Sequence, residues 1–381
     1  LLKHKLRKIA VAGGVIAGIL VGVVPAASAG DTVNAVGSDT SYWIMNYMSQ
    51  MYNTSGSVLN PDGTLLVNTP PQNIPPFPAG SIAPADGKAG QVVYGAGFVT
   101  PPNGSSAGVT ALRTDTTGAV DIARSSRNFD ASRGDTSDLE FYAYALGAVD
   151  WVKFPGGYTG SLTHADLINI YTCDAVTGLP IYSNWNQVPG SNKTGAIVKY
   201  APQTAAGTYA YMVSSLLNGN AVDKNCNAAN KSTFLQEHDA TGVVAATKAN
   251  AIYVYDYGQW VTQSKKISPD LRNGATWGKF EGMTPSATNV KEDAGRFPGT
   301  RYIFNVLKNN SLGNGSPSYG AAKKFAGSGP GAGVTGGNAN GYVCANRMGT
   351  ALNAYGFRAL KAKVDPNTGL SSYCRKNPTS L

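Results

Sequence analysis

Charge is scarce in this chain: Lys, Arg, Asp and Glu make up 14% of its 381 residues, and past the first eight residues no Lys/Arg run and no basic-aromatic interleaving occurs. Such a surface offers no track for a phosphate backbone, which excludes nucleic acid as a partner. Histidine is scarcer still. Beyond His4 there are only His164 and His238, so a catalytic base has few possible sources. The four cysteines, Cys173, Cys226, Cys344 and Cys374, are spaced too widely for a metal site. Long apolar runs are confined to the first 29 residues, and no cysteine follows that run to carry a lipid. The chain also has no internal repeat of the kind that marks solenoids.

What is present begins with a targeting pattern. Lys3, Lys5, Arg7 and Lys8 precede an apolar stretch, Ile9 to Val24, and Ala27-Ser28-Ala29 supplies a small-x-small site. Residues 1–29 are therefore predicted to be a secretory signal peptide, cleaved near Ala29-Gly30. The stretch is short, broken by glycines and ends at Pro25, which argues against a membrane anchor. The product is expected to be secreted, extracellular or associated with the cell wall. The even cysteine set in an exported chain predicts two disulfides. Three connectivities are possible; pairing by neighbourhood gives Cys173–Cys226 and Cys344–Cys374, each within one lobe. Without the four basic residues the net charge falls from +9 to about +5, a mild balance that suits a small anion.

Residues 30–381 are too many for one small core and suit two lobes. A strand is predicted over Asp31–Val36 and a helix over Asp39–Tyr52, with Ile44, Tyr47, Met48 and Met51 as its apolar stripe. A Pro-rich insertion, about 69–84, follows, then a strand over Gln91–Phe98, a helix from Val109 to Leu112 and a strand over Ala119–Ala123. Asp138–Leu146 has a helical pattern and Ala148–Phe154 that of an apolar strand. Thr163-His164-Ala165-Asp166 fits a capping box ahead of Leu167, Ile170 and Tyr171. Ala196–Tyr200, Ala251–Tyr257 and Arg301–Val306 read as strands, and 313–341 as a mobile Gly-rich loop. Strands alternating with helices predict an α/β protein with ligands at strand C-terminal ends. Lobe one is assigned 30–149 and 257–381, lobe two 150–256, with ligand between them at the hinge.

Three turns rich in small hydroxyl residues stand where a strand hands over to a helix. They are Gly37-Ser38-Asp39-Thr40, Gly104-Ser105-Ser106-Ala107-Gly108 and Ala205-Ala206-Gly207-Thr208. Helix N-termini present unpaired N–H groups and a partial positive charge, so such turns can hold an anion without Lys or Arg. Ser and Thr are also ordinary N-caps, and Ser38 and Thr40 fit that reading as well.

The order of these pieces resembles the phosphate-binding proteins of bacterial ABC importers, within the type II periplasmic-binding-protein fold. The likeness runs discontinuously from about Val33 to Trp260. Val36-Gly37-Ser38-Asp39-Thr40 resembles the family's Gly-x-Gly-x-Thr turn, and Gly104-Ser105-Ser106-Ala107-Gly108 its Gly-Ser-Ser-Gly-Gly turn. Val120 through Ser126 resembles its Val-Asp-Phe-Gly-Ala-Ser-Asp segment, Leu162 through Trp185 its Leu-x-x-x-x-Leu-x-x-Ile-(Tyr/Phe) segment with following Trp, and Asn250 through Tyr255 its Gly-Ala-Ile-Gly-Tyr segment. Pro202 through Thr208 falls on the family's Arg-x-Asp-Gly-Ser-Gly-Thr turn, so Ser126, Pro202 and Ala206 stand where the family has a proton-accepting carboxylate, a clamping Arg and a Ser. The resemblance implies a two-lobed fold of mixed sheets flanked by helices and capture of a small oxyanion, phosphate first and sulfate second. It implies an ABC permease as partner, a monomer, no cofactor, no metal and no catalysis.

The implied ligand set is Ser38, Asp39, Thr40, Ser105 and Ser106, with Arg124, Ser125, Ser126 and Arg127 from lobe one, and Thr204, Gly207 and Thr208 from lobe two. Arg124 or Arg127 would replace the missing cation and Asp39 the missing proton acceptor, unless Asp39 only caps its helix.

Other readings compete. Gly104-x-Ser106-x-Gly108 matches a nucleophile elbow, with an acid such as Asp223 and His238 in hydrolase order, but no oxyanion Gly run accompanies it. Glu237-His238-Asp239 is a poor metal site, since adjacent residues rarely point at one ion. Tyr253, Tyr255, Tyr257 and Trp260 alternate along a strand, half expected to face a core and half a cleft or surface. An aromatic cleft would suit an extracellular carbohydrate-binding or adhesion protein that keeps the fold with a changed ligand.

Overall fold

The computed structural model describes residues 33–55, 57–59, 65–68, 102–313, 315, 319–327, 341–344, 348–364, 371–378 and 381. The signal segment, the Pro-rich insertion and the strand expected over Gln91–Phe98 lie outside the described residues.

The long central strand is dictated by a stretch that is apolar on both faces. β3 (Leu139–Lys153) is buried from Leu139 to Val152, as befits a strand covered on both sides. It replaces the helix expected over Asp138–Leu146. Glu140 apart, Leu139 to Leu146 is apolar or aromatic throughout, so neither a period of 2 nor one of 3.6 stands out, and the aromatic run Phe141, Tyr142, Tyr144 favours the extended form.

Around β3 the chain lays down β1 (Ala35–Gly37), β2 (Ile122–Ser125), β4 (Val198–Pro202), β5 (Thr233–Leu235), β6 (Ala251–Asp256) and β7 (Thr300–Lys308), in the spatial order β1-β2-β7-β3-β6-β4-β5. β3 changes partners midway: Leu139 to Ala148 pair antiparallel with β7, and Val149 to Lys153 antiparallel with β6. One strand thus runs from the sheet of one lobe into that of the other.

Register decides where the chain ends meet. β1 lies parallel to β2, with Gly37 opposite Arg124, and β4 lies parallel to both β5 and β6. β7 is antiparallel to β2 and β3, so its first residues, with Arg301 opposite Gly147, sit beyond the C-terminal end of β2. The C-terminal ends of β1, β2, β4, β5 and β6 therefore gather at the crossover in β3.

Helices pack on these sheets by apolar stripes. α1 (Tyr42–Ser55) buries Ile44, Met45 and Met48, while Tyr47 is 40% exposed and lies against Tyr355. Met45, not Tyr47, completes the inward face. α2 (Ser105–Thr114) buries Val109 and Leu112. α3 (His164–Tyr171) carries the expected capping box and buries Leu167, Ile170 and Tyr171. α4 (Gly207–Tyr211) runs directly into a π-helical turn, Met212–Leu216, and α5 (Tyr257–Ser264) follows β6. Inside the Gly-rich stretch, Tyr319–Ala326 form a helix, α6, whose Ala322, Phe325 and Ala326 are buried; residues 328–340 lie outside the described set.

Cys173 pairs with Cys226 and Cys344 with Cys374, closing loops of 53 and 30 residues. Loop-closure entropy makes each worth about 4 kcal/mol. Replacing Cys173 and Cys226 by Ala together is expected to lower the urea midpoint accordingly, and a midpoint equal to that of the parent would contradict that worth.

Candidate functional site

The three hydroxyl turns meet. At the end of β1 the Ser38 amide donates to the Arg124 carbonyl at 3.1 Å, and its hydroxyl donates to Ser126 Oγ at 3.2 Å. Ser126 also shares a hydrogen bond with Ser105 Oγ at 3.2 Å and donates its amide to the same atom at 2.9 Å. Gly104, just before α2, has φ 95°, and a Cβ there would run into the Ala205 carbonyl of the facing lobe. Only Gly tolerates both the left-handed backbone and that approach. Across this contact the Ser106 amide donates to Ala205 O at 3.0 Å. Gly207 is equally crowded: a Cβ on it would overlap the hydroxyls of Ser105 and Ser126. The two lobes are shut against each other, and the Ser38 and Ser106 amides and the Ser38 and Ser105 hydroxyls bond to protein.

The third turn is occupied by a carboxylate. The Thr208 amide, at the start of α4, donates to Glu237 Oε2 at 2.9 Å. Glu237 Oε1 lies 3.2 Å from His238 Nε2, and the same ring nitrogen is 3.1 Å from Thr40 Oγ1. Burial by itself would raise the Glu237 carboxyl; the charge and hydrogen bond of His238, Arg301 and the Thr208 amide more than reverse this and hold it at about 2. The loop that bears it is pinned from β6, where Tyr253 donates to Gln236 O at 2.8 Å and Tyr255 to His238 O.

Arg301 supplies the cation at the centre. Its Nη2 donates to Asp256 Oδ2 at 2.9 Å, Thr208 Oγ1 at 3.0 Å and Thr40 Oγ1 at 3.3 Å, and its Nη1 to the Ser126 carbonyl at 3.0 Å. This one side chain, 3% exposed, bonds to the Thr40 turn, the end of β2, the α4 start and the end of β6.

The two arginines expected to clamp a ligand are otherwise engaged. Arg124 is fully buried and donates to the carbonyls of Ser38 and Gly37, both at 3.1 Å. Arg127 makes a bidentate pair with Asp135, at 2.6 and 2.9 Å, and reaches Ser106 Oγ at 3.2 Å. Ser125 serves its own turn, accepting from the Arg127 amide at 3.2 Å, and Thr204 is exposed on the rim. Asp39 does not cap α1; its carboxyl accepts from Gln236 Nε2 at 2.6 Å. Burial, and then repulsion from Glu237, push the Asp39 carboxyl well above the usual range.

Ser38, Ser105, Ser126, Thr40 and Thr208 thus come together with Arg301, Glu237, His238 and Asp256, which the motifs did not point to as ligand neighbours. Arg301 carries no turn signature, and Glu237-His238 had been weighed only as a metal site or as half of a catalytic pair. Ser106, His238 and Asp223 are held by three different partners, Arg127, Thr40 and Lys199, so no hydrolase triad forms. Among the described residues no group of three His, Cys, Asp or Glu is placed to hold a metal. Tyr253 and Tyr255 are buried and their hydroxyls hold the 236–238 loop, while Tyr257 and Trp260 lie on α5 and pack against Trp277, so the four do not alternate along one strand.

No protein-family model and no curated protein matches the chain. Among solved structures it is similar to a putative phosphate ABC transporter substrate-binding protein with bound phosphate from Clostridium perfringens. That pair has 15% identity and a TM-score of 0.50, and covers 87% of this chain and 100% of the other. The chain has the two-lobed fold of phosphate-binding proteins. Similarity extends to an ABC-type phosphate transport receptor from Vibrio cholerae, with 17% identity, TM-score 0.46 and coverage of 73% and 87%. It extends likewise to PstS from Borrelia burgdorferi, with 14% identity, TM-score 0.44 and coverage of 87% and 99%. At these identities the likeness is one of fold.

Linkage gives the two carboxyls opposite signs. The folded value of Glu237 lies below its ordinary 4.5, so its stabilisation is complete above that pH and is lost as pH falls towards 2. The folded value of Asp39 lies above its ordinary 3.8, so it weighs against the fold once pH rises past that value. Glu237→Gln is expected to cost about 3 kcal/mol at neutral pH, because it removes the buried carboxylate that His238, Arg301 and the Thr208 amide stabilise, and to cost little near pH 2. Asp39→Asn should raise the melting midpoint at neutral pH and leave it unchanged below about pH 3. Melts across pH check both, and parallel curves for parent and variants would contradict the assignment.

Proposed function

We propose that this is a secreted solute-binding protein that captures a small oxyanion, inorganic phosphate first, between its lobes and delivers it to an ABC permease. The observation that carries this reading is the meeting of the Ser38 and Ser105 hydroxyls on Ser126, with Arg301 bonded to the Ser126 carbonyl and the Thr208 hydroxyl, at the strand ends of the crossover. Hydroxyls, a helix-start amide and one guanidinium are the donors that a tetrahedral oxyanion needs. The disulfides and the predicted signal peptide fit an oxidising, extracellular setting.

In the shut form the Thr208 amide holds Glu237 in place of a ligand. Capture is then an exchange of one anion for another. The lobes part, relieving the contact of Gly207 with Ser105 and Ser126; Glu237 leaves the Thr208 amide; and phosphate takes the amide, the hydroxyls and Arg301. Asp256 stays paired with Arg301, so the guanidinium keeps a counter-ion when Glu237 leaves. Burial raises the Asp39 carboxyl well above its ordinary value, which lessens its repulsion of an incoming anion.

Calorimetric titration of the signal-free chain with phosphate, then sulfate, tests this. Phosphate is expected to bind, with affinity about tenfold higher in Glu237→Ala, where no internal carboxylate competes, and at least tenfold lower in Thr208→Val. Absence of heat with both anions in parent and Glu237→Ala would overturn the proposal. Gly207→Ala, whose methyl would meet Ser105 and Ser126, is expected to hold the lobes apart and enlarge the radius of gyration in X-ray scattering.

A further inference from the structure

The far end of the second lobe holds apolar side chains out in water. There the segment 173–180 forms a hairpin, closed at its base by a bridge between Cys173 and Pro180 and by the disulfide to Cys226. Asp174 Oδ1 accepts from the amides of Val176 and Thr177 at 3.0 and 2.8 Å, and the Asn227 amide donates to the Gly178 carbonyl at 3.2 Å. Base and tip are both tied, in a form that leaves the tip outside the core. Val176 is 93% exposed, Leu179 54% and Ile181, just beyond, 43%. Only eight large apolar side chains are exposed among the described residues, and three of them cluster here. Such a cluster, fixed in place by the backbone, marks a contact surface.

Beside the hairpin lies a groove of about 280 Å³, with Pro180, Tyr182, Ile197, Val198 and Lys231 in its walls, at the starts of β4 and β5. We propose that this face binds the same face of a second copy of this chain, about a two-fold axis, with the hairpin tip of each copy in the groove of the other. The dimer stands in place of the monomer that the family resemblance implies, and it does not rest on the oxyanion reading.

Two observations select a second copy over another occupant. The first is shape. Knob and hole stand side by side on one face, so a half-turn brings each onto its counterpart and the surface complements itself. The second is charge. Asp174 stands on the hairpin and Lys231 on the groove; both are exposed, and neither has an ion pair among the described residues. Hydrogen bonds from the Thr177 amide and hydroxyl hold the Asp174 carboxyl below the usual range, so it is charged at neutral pH. Lys199, also in the groove, is spent on Asp223 at 3.1 Å. The half-turn that seats the tip sets the Asp174 of each copy toward the Lys231 of the other, which gives two opposite-charge pairs in one contact. An anionic bilayer is a poorer occupant, because Asp174 beside the tip would face its negative surface.

The groove opens at the start of β4, whereas the end of that strand, at Pro202, lies at the crossover. Pairing through this face leaves both clefts free to part and close.

Sedimentation of the signal-free chain from about 1 μM to about 0.5 mM tests this, and a monomer–dimer equilibrium with a midpoint on the order of tens of micromolar is expected, as suits a modest interface. Val176→Asp, which puts a carboxylate on the tip, and Lys231→Glu, which sets like charges across the axis, should each weaken the dimer about tenfold or more. Both positions are exposed, so the melting midpoint of the dilute chain should stay at the parent value. A chain that stays monomeric at the highest concentration overturns the proposal; should that monomer pellet with phosphatidylglycerol vesicles, the occupant of the face is a membrane. A dimer that survives both substitutions is built on another face, and that result overturns it too.

Discussion

A guanidinium buried to 3% exposure has to be surrounded by acceptors, and the arrangement around Arg301 follows from that need. Asp256 at the end of β6 balances its charge, the Ser126 carbonyl after β2 takes a second N–H, and Thr40 and Thr208 offer their hydroxyls from opposite lobes. Because these acceptors come from distant parts of the chain, the lobes cannot move apart without breaking charge-assisted bonds at the hinge. Arg301 itself is placed by β7, whose register sets it opposite Gly147 in the middle of the crossover strand. The cation is therefore a property of the hinge, while the hydroxyl donors belong to the turns that hinge brings together.

The same electrostatics explain why a carboxylate sits at the α4 start. The Thr208 amide at the α4 start is a buried donor that is costly to leave unpaired, even though Asp256 already balances Arg301. Glu237 accepts its hydrogen bond, and His238, in a left-handed backbone conformation at φ 65°, bridges Glu237 to Thr40. Burial, and then the nearby Glu237 carboxylate, raise the Asp39 carboxyl well above its ordinary value. The result is a site balanced by the protein's own groups, in which an anion must compete with a resident one.

Much of this was legible in the sequence, for identifiable reasons. Turns depend on local residue chemistry, so the Gly37–Thr40, Gly104–Gly108 and Ala205–Thr208 segments could be placed together before any coordinates. The α/β class followed from alternation, and cysteine neighbourhood matches the two disulfides. The central strand was misread at its first half because Leu139 to Leu146 is buried on both faces and carries no period. The cation was sought at Arg124 and Arg127 because they flank a motif, but Asp135 and the carbonyls of Gly37 and Ser38 engage them. Arg301 and Glu237 reach the site through sheet register and a loop, which act over separations that no local pattern records.

The account turns on the exchange of Glu237 for an external anion. A crystal structure of the signal-free chain grown with phosphate, in a buffer free of other oxyanions, tests this most directly. The account predicts tetrahedral density against the Thr208 amide, Arg301 and the hydroxyls of Ser38 and Ser105, with Glu237 turned away. Glu237 still on the Thr208 amide, with the lobes shut and no anion between them, would contradict it.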